Sequence, residues 1–218
     1  MKYGQHVKLL LFDLDGTLAD SLSVLRQAYE TFCRRHNILV SDEEFSLLNG
    51  PPLKEIVDIL RVQFHLQSSS DALLREYNSI IDELYVSVKV TSGSLHLIKS
   101  AVGRGCELGV VTSNTHARSV DWLTGVDLMP YFKFVVSSDT CTRGKPDPEP
   151  YQHALMLGQV ENDCAIAVED SITGATAALA ANVKTFLLSK GKVPIADSRI
   201  VQVISMMELN EILFGLPT

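Results

Sequence analysis

No apolar run in the chain approaches the roughly 18–20 residues that cross a membrane as a helix, so no transmembrane span is expected. A positive charge balance is also missing. With 19 Lys and Arg against 26 Asp and Glu, the net charge is −7. That argues against non-specific nucleic-acid binding, which requires a basic face. Cysteine is scarce: the four residues Cys33, Cys106, Cys141 and Cys164 are widely spaced, with no CxxC pair. This argues against a disulfide framework or a zinc site and for thiols in a reducing compartment. A secretory signal is not apparent, because the first apolar stretch is cut by Asp13 and Asp15. The expectation is a cytoplasmic protein without membrane or nucleic-acid partners. Internal repeats and low-complexity segments are absent. Trp122 and the Tyr131-Phe132 pair read as core packing, and oligomeric state is not legible.

What the chain does contain is organised around Val7 to Thr17. The apolar run from Val7 to Phe12 reads as a fully buried strand. It stops on Asp13-Leu14-Asp15-Gly16-Thr17. Asp13 and Asp15 share a face while the chain stays extended. Two like charges so close need a cation, a shared proton or a substrate between them. The carboxyl end of a strand in an open α/β sheet is also where chemistry sits.

After Thr17 the pattern turns helical. Asp20 or Ser21 caps a helix through Arg35. Ser41 to Glu44 opens a short helix as a capping box, and Asn49-Gly50-Pro51-Pro52 ends it. Pro52 starts a helix to about Phe64, with Leu53, Ile56, Val57 and Leu60 inward. The serines 68–70 with Asp71 cap a fourth, to about Val86. From Thr91, strands and helices alternate. Strands are expected at Glu107–Val111, Phe134–Ser137, Cys164–Val168 and Lys184–Leu188. Helices are expected after Gly93, Asn114, Pro148 and Ser171 and at Met206–Phe214, with Asn182 in a left-handed position behind the fourth. Residues 190–198 read as a surface loop. Alternation of this kind means parallel strands joined by crossover helices. The fold class is therefore α/β: a Rossmann-like, doubly wound parallel sheet from residues 1–17 and 89–218, with a helical cap domain inserted at 18–88.

Polar groups stand at four strand ends or loops: Asp13/Asp15, Thr112-Ser113-Asn114, Lys145 between Gly144 and Pro146, and Glu169-Asp170-Ser171. Each alone is an ordinary turn, helix cap or solvated lysine. Hydroxyl and N–H groups opening a helix also suit an anion, and the acidic pair suits a hard cation together with Asp13. The weight lies in the fixed order of all four.

In that order the chain resembles the haloacid dehalogenase superfamily, in its phosphatase branch with a helical cap after the first strand. The matching stretches are Phe12-Asp13-Leu14-Asp15-Gly16-Thr17-Leu18, Val111-Thr112-Ser113-Asn114, Gly144 to Glu149, and Val168-Glu169-Asp170-Ser171-Ile172-Thr173-Gly174. Gly50-Pro51-Pro52-Leu53 is similar to a turn of phosphoglycolate phosphatase-like members. The resemblance implies a phosphatase for a small phosphorylated metabolite. By resemblance, Asp13 is the nucleophile and forms an aspartyl-phosphate. Asp15 is the general acid and then the base. Thr112 and Lys145 stabilise the phosphoryl group, and Ser113, Asn114 and Gly16 bind substrate. Mg²⁺ is held by Asp13, the Asp15 carbonyl, Asp170 and Glu169. Asp15 disfavours the dehalogenase branch, which lacks it. Leu25 and Leu53 stand where a sugar-phosphate mutase usually carries His and Arg. The phosphonatase branch uses a cap lysine; Lys54 is the one lysine of residues 18–88, and the first motif is not of that branch's type. A mutase, a pyrophosphatase and a non-catalytic phospho-ligand-binding regulator remain as alternatives. Gly174 replaces the second Asp that many relatives carry, with the acidic pair Glu169-Asp170 adjacent instead.

Overall fold

The computed structural model describes residues 6–40, 45, 51–189, 191, 197 and 199–215. The expected short helix at 41–44, the turn at 49–50 and nearly all of the 190–198 loop lie outside these residues. Among the described residues, no helix is long and apolar enough to cross a membrane.

Six strands form one parallel sheet in the order β3-β2-β1-β4-β5-β6. They are β1 Leu9–Phe12, β2 Glu107–Val111, β3 Phe134–Val136, β4 Ala165–Glu169, β5 Lys184–Leu188 and β6 Ile200–Val203. β1 lies at the centre, with Leu9 beside both Glu107 and Ala165 and Phe12 beside both Val110 and Val168. This register brings the carboxyl ends of β1, β2 and β4 to one level. Every residue of β1 is fully buried, which stabilises by about 1.5–3 kcal/mol per large side chain. Side chains alternate between the faces of the sheet. Leu10 and Phe12 enter a core with helices α4 (Ser94–Val102), α5 (His116–Gly125) and α8 (Met206–Phe214). Leu9 and Leu11 enter a second core with α6 (Glu149–Gly158) and the alanine-rich α7 (Ile172–Ala180). Both faces are thus covered, the condition for an all-parallel sheet. Trp122 and Phe132 belong to the first core. Phe132 meets Phe12 edge to face, and the Trp122 indole N–H donates to the Val88 carbonyl at 3.0 Å.

Among the described residues between β1 and α4 are the helices α1 (Leu22–Arg35), α2 (Leu53–Gln63) and α3 (Ser70–Tyr85). Their apolar stripes pack on one another, with Phe32 of α1 stacked on Tyr77 of α3. Two adjacent strand-like linkers carry them. Ala19 faces Val90 antiparallel, Asp20 N–H donates to Lys89 at 2.9 Å, and Thr91 N–H donates to Leu18 at 2.8 Å.

Three expectations need correction. Ser21 occupies the N-cap position of α1, yet its side chain makes no capping bond. Its hydroxyl is turned to Asp15 instead. The expected strand at Cys164 begins one residue later, because Asn162–Cys164 forms a short 3-10 turn. β6 was not foreseen. It is a half-buried edge strand containing Gln202, held by β5 on one side only, so its pattern is not that of a buried strand.

Candidate active site

The carboxyl ends of β1, β2 and β4, together with the loop before α6, surround a cavity of about 380 Å³. Asp13, Asp15, Thr112, Ser113, Asn114, Lys145 and Asp170 all line it. Helices α1–α3 close the opposite side. Leu25, Phe45, Leu53, Ile56, Leu74 and Ile81 make that wall largely apolar.

Lys145 is the electrostatic centre. In the sequence it sits in a polar loop, where a lysine is normally solvated. In the fold it is 2% exposed. Its ammonium donates to Asp13 Oδ1 at 2.7 Å, to the Val111 carbonyl at 2.9 Å and to Glu169 Oε1 at 2.5 Å. All three donors of the ammonium are therefore used. Burial opposes its charge, but Asp13 and Glu169 outweigh burial and hold Lys145 above the ordinary lysine range. Glu169 is fully buried and also accepts from the Tyr151 hydroxyl at 2.6 Å. The Lys145 loop is fastened by Glu149, which accepts the Thr142 N–H at 2.6 Å and the Arg143 N–H at 3.1 Å.

Asp13, Glu169 and Asp170 each place a carboxylate oxygen within 4.8 Å of the others. Burial pushes the Asp13 carboxyl well above the usual range. Lys145 opposes this, while the charges on Glu169 and Asp170 add to it. One ammonium among three carboxylates leaves negative charge in excess, and a hard divalent cation with oxygen ligands would balance it. Two glycines make room for the group. Gly16 has φ +82°, and a Cβ there would lie 2.1 Å from Asp170 Oδ2. A Cβ on Gly174 would meet the Glu169 carboxylate. Gly16 thus backs Asp170 and is not among the cavity-lining residues. A side chain at 174 would compete with Glu169 for one space.

The alternative cap roles fall to neighbouring residues. Thr115, not Ser113 or Asn114, caps α5, and Ser171 caps α7 by accepting the Gly174 N–H at 3.0 Å. Thr112 to Asn114 and Asp170 are thereby left to the cavity, with Glu169 buried behind them. Asp15 is bound on both oxygens. Oδ1 accepts from the Ser21 hydroxyl at 2.7 Å and the Tyr85 hydroxyl at 2.6 Å, and Oδ2 accepts from the Asn114 amide at 3.0 Å. Burial and Asp15 push Tyr85 far above the tyrosine range, so it remains a donor. Tyr85, Tyr151 and Arg118 were not singled out from the sequence. They sit inside regular helices, and no local pattern separates them from ordinary core or surface residues.

A family model for haloacid dehalogenase-like hydrolases matches residues 10–188. The validoxylamine A 7'-phosphate phosphatase of Streptomyces hygroscopicus subsp. limoneus is 32% identical over 178 residues, which is 81% of this chain and 83% of that protein. The phosphoglycolate phosphatase of Nitrosococcus oceani is 28% identical over 218 residues, covering 94% and 96% of the two chains. Among solved structures, β-phosphoglucomutase from Clostridium difficile superimposes with a TM-score of 0.81 at 19% identity, covering 93% of each chain. That likeness concerns the fold alone. The matched segment runs from within β1 to the end of β5 and takes in all four polar strand ends and loops: the chain belongs to the haloacid dehalogenase-like hydrolase family.

Proposed function

We propose that the protein is a Mg²⁺-dependent phosphatase of a small phosphomonoester, working through an aspartyl-phosphate on Asp13. The observation that carries this reading is the placement of Asp13, Asp15, Thr112, Lys145 and Asp170 around one cavity, with a buried ammonium against the Asp13 carboxylate. A carboxylate cannot approach a phosphate dianion without positive charge beside it, and phosphoryl transfer depends mostly on such positioning.

Asp13, Asp170 and the Asp15 backbone carbonyl would hold the ion, with Glu169 contributing directly or through water. When bound, Mg²⁺ supplies charge neutralisation for the phosphoryl oxygens and keeps Asp13 ionised. An Asp13 oxygen bonds to phosphorus while the substrate oxygen departs with a proton from Asp15. A water then attacks phosphorus, giving its proton to Asp15, and the Asp13–phosphorus bond breaks to release phosphate. Thr112, with Ser113 and Asn114, donates hydrogen bonds to the phosphoryl oxygens. Lys145 holds Asp13 in place and offsets its charge.

We read residues 18–88 as the cap that covers the substrate and 1–17 with 89–218 as the catalytic core. The cavity volume suits a small metabolite. Leu25 and Leu53 in the cap wall offer neither the base nor the cation that a mutase would need, which favours hydrolysis. The four scattered thiols are consistent with a cytoplasmic setting.

The test is phosphate release from a panel of phosphomonoesters and pyrophosphate, with and without Mg²⁺, for wild type and Asp13→Asn. Release that needs Mg²⁺ and disappears in the folded variant is expected. Equal release by Asp13→Asn would remove Asp13 as nucleophile. No release from any compound by a Mg²⁺-binding protein would favour a phospho-ligand-binding regulator.

A further inference from the structure

Asn114 connects Asp15 to a residue outside the motifs. A carboxamide has two ends of opposite character, one accepting and one donating, so its neighbours dictate which end faces which way. The Asn114 Oδ1 accepts from Arg118 Nη1 at 2.8 Å and from the Thr115 N–H at 2.9 Å. With the oxygen committed to these donors, Nδ2 is turned to Asp15 Oδ2 at 3.0 Å. The rest of the Arg118 fork reaches helix α3. Nε donates to Asp82 Oδ1 at 2.8 Å and Nη2 to Asn78 Oδ1 at 2.9 Å, with the guanidinium 6.0 Å from the Tyr85 ring. The Arg118 side chain is 9% exposed, whereas Asp82 is 61% exposed. Tyr85 of the same helix donates directly to Asp15. The Asp15 carboxylate thus touches helix α3 twice, once directly and once through Asn114 and Arg118.

We propose that Arg118 is a positioning residue for Asp15, acting through the orientation of the Asn114 amide and linking that orientation to the seating of helix α3 on the core. The proposal rests on the reading of Asp15 as the proton donor to the leaving oxygen. Arg118 lines the cavity, and its guanidinium donates to Asn114, Asn78 and Asp82 rather than to the carboxylates that would hold the metal. Its fork meets an acceptor on the core and two on the cap at once, which a lysine cannot match. Loss of Arg118 leaves one backbone N–H to orient Asn114. Ser21 and Tyr85 still hold Asp15 Oδ1, but Oδ2 loses its fixed donor and can shift from the line of the departing oxygen, and small displacements of a catalytic group are costly.

The leaving group supplies a readout that a merely structural role would not move. A nitrophenolate departs without a proton, whereas a benzyl alkoxide requires one, and the two esters are of similar size. The experiment measures kcat/KM for p-nitrophenyl phosphate and benzyl phosphate with Mg²⁺ in wild type, Arg118→Ala, Arg118→Lys and Asp82→Asn. Arg118→Ala is expected to lower kcat/KM for the benzyl ester about tenfold more than for the nitrophenyl ester. Arg118→Lys, which can still reach Asn114, restores much of that ratio. Asp82→Asn leaves the ratio as in wild type. Equal losses on both esters, or a ratio change in Asp82→Asn as large as in Arg118→Ala, would overturn the proposal. Arg118→Met keeps the aliphatic stem and replaces the alanine variant if that one does not fold. A crystal structure of the same variant gives a readout independent of turnover: the Asn114–Asp15 contact is expected to be lost, and its retention at hydrogen-bond distance overturns the proposal. If wild type cleaves neither ester, the crystal structure alone decides the placement of Asn114, and the phosphatase reading stands or falls on the wider panel of phosphomonoesters.

Discussion

The Lys145 ammonium lies 2.7 Å from the Asp13 carboxylate although 132 positions separate the two residues. The same ammonium holds Glu169, so one charge satisfies two carboxylates, one just past the end of β1 and one at the end of the adjacent β4. Removing one partner of a buried ion pair strands the other and costs about 3–5 kcal/mol. Lys145→Ala is therefore expected to lose stability of that order in metal-free buffer near neutral pH. In the variant Asp13, already pushed up by burial and by the charges of Glu169 and Asp170, loses the ammonium that opposes this, so its folded-state pKa rises further. Such groups stabilise below the unfolded pKa and lose that contribution as pH rises through the folded one. Urea unfolding should thus show a small deficit in acid that grows toward neutral pH. A deficit independent of pH would contradict the charge argument.

Tyr151 is a second support. Its buried hydroxyl donates to Glu169 at 2.6 Å, and burial with the Glu169 charge keeps it protonated. A hydrogen bond to a charged group contributes about 1.5–3 kcal/mol. Tyr151→Phe should be less stable by that order in urea titrations and should bind Mg²⁺ about tenfold more weakly, as loss of an outer partner of a ligand usually does. Unchanged unfolding curves would show that the Tyr151 hydroxyl adds nothing to the hold of Lys145 and Ser171 on Glu169.

Gly16 tests the placement of Asp170. A methyl group there meets a positive φ and a carboxylate oxygen 2.1 Å away, so Asp170 must move. Wild type saturated to a hundred times Kd with Mg²⁺ gains about 2.7 kcal/mol. Gly16→Ala is expected to fold yet show little rise in melting temperature with Mg²⁺. A full metal-induced rise would mean that Asp170 is not needed for the ion.

Glu149 holds the Lys145 loop through the Thr142 and Arg143 N–H groups, and the Thr142 bond first of all keeps its carboxyl below the usual range. A lowered carboxyl stabilises above its unfolded pKa and loses that contribution as pH falls through the folded value. Glu149→Gln should melt lower than wild type at neutral pH, and the gap should close in acid as wild type becomes protonated. A gap undiminished at about pH 3, well below ordinary carboxyl values, would assign the effect to shape rather than charge.

How far the sequence reaches is clear from individual residues. The apolar run ending at Asp13, the alternation after Thr91 and the serines at 69 and 171 are local signals. Each acts through spacing or capping within a few residues, so strands β1 to β5 and helices α1 to α8 are legible close to their bounds. The left-handed Asn182 behind α7 was legible for the same reason. Ser21 was misread because its local option, a helix cap, competed with a carboxylate that only the folded turn brings near. The edge strand β6 carries too little apolar pattern to announce itself.

By its own order, then, the chain determined an α/β sheet whose strand ends carry carboxylates, hydroxyls and one lysine, since those are properties of neighbours along the backbone. Only the tertiary structure decided that Lys145 is buried between Asp13 and Glu169, and that Tyr151 holds Glu169 from below. It also decided that Asp15 is bound by Ser21, Tyr85 and Asn114, with Arg118 behind. Those contacts join residues from different strands and helices. Their energy depends on exclusion of water and on distances of about 3 Å, which no spacing along the chain specifies.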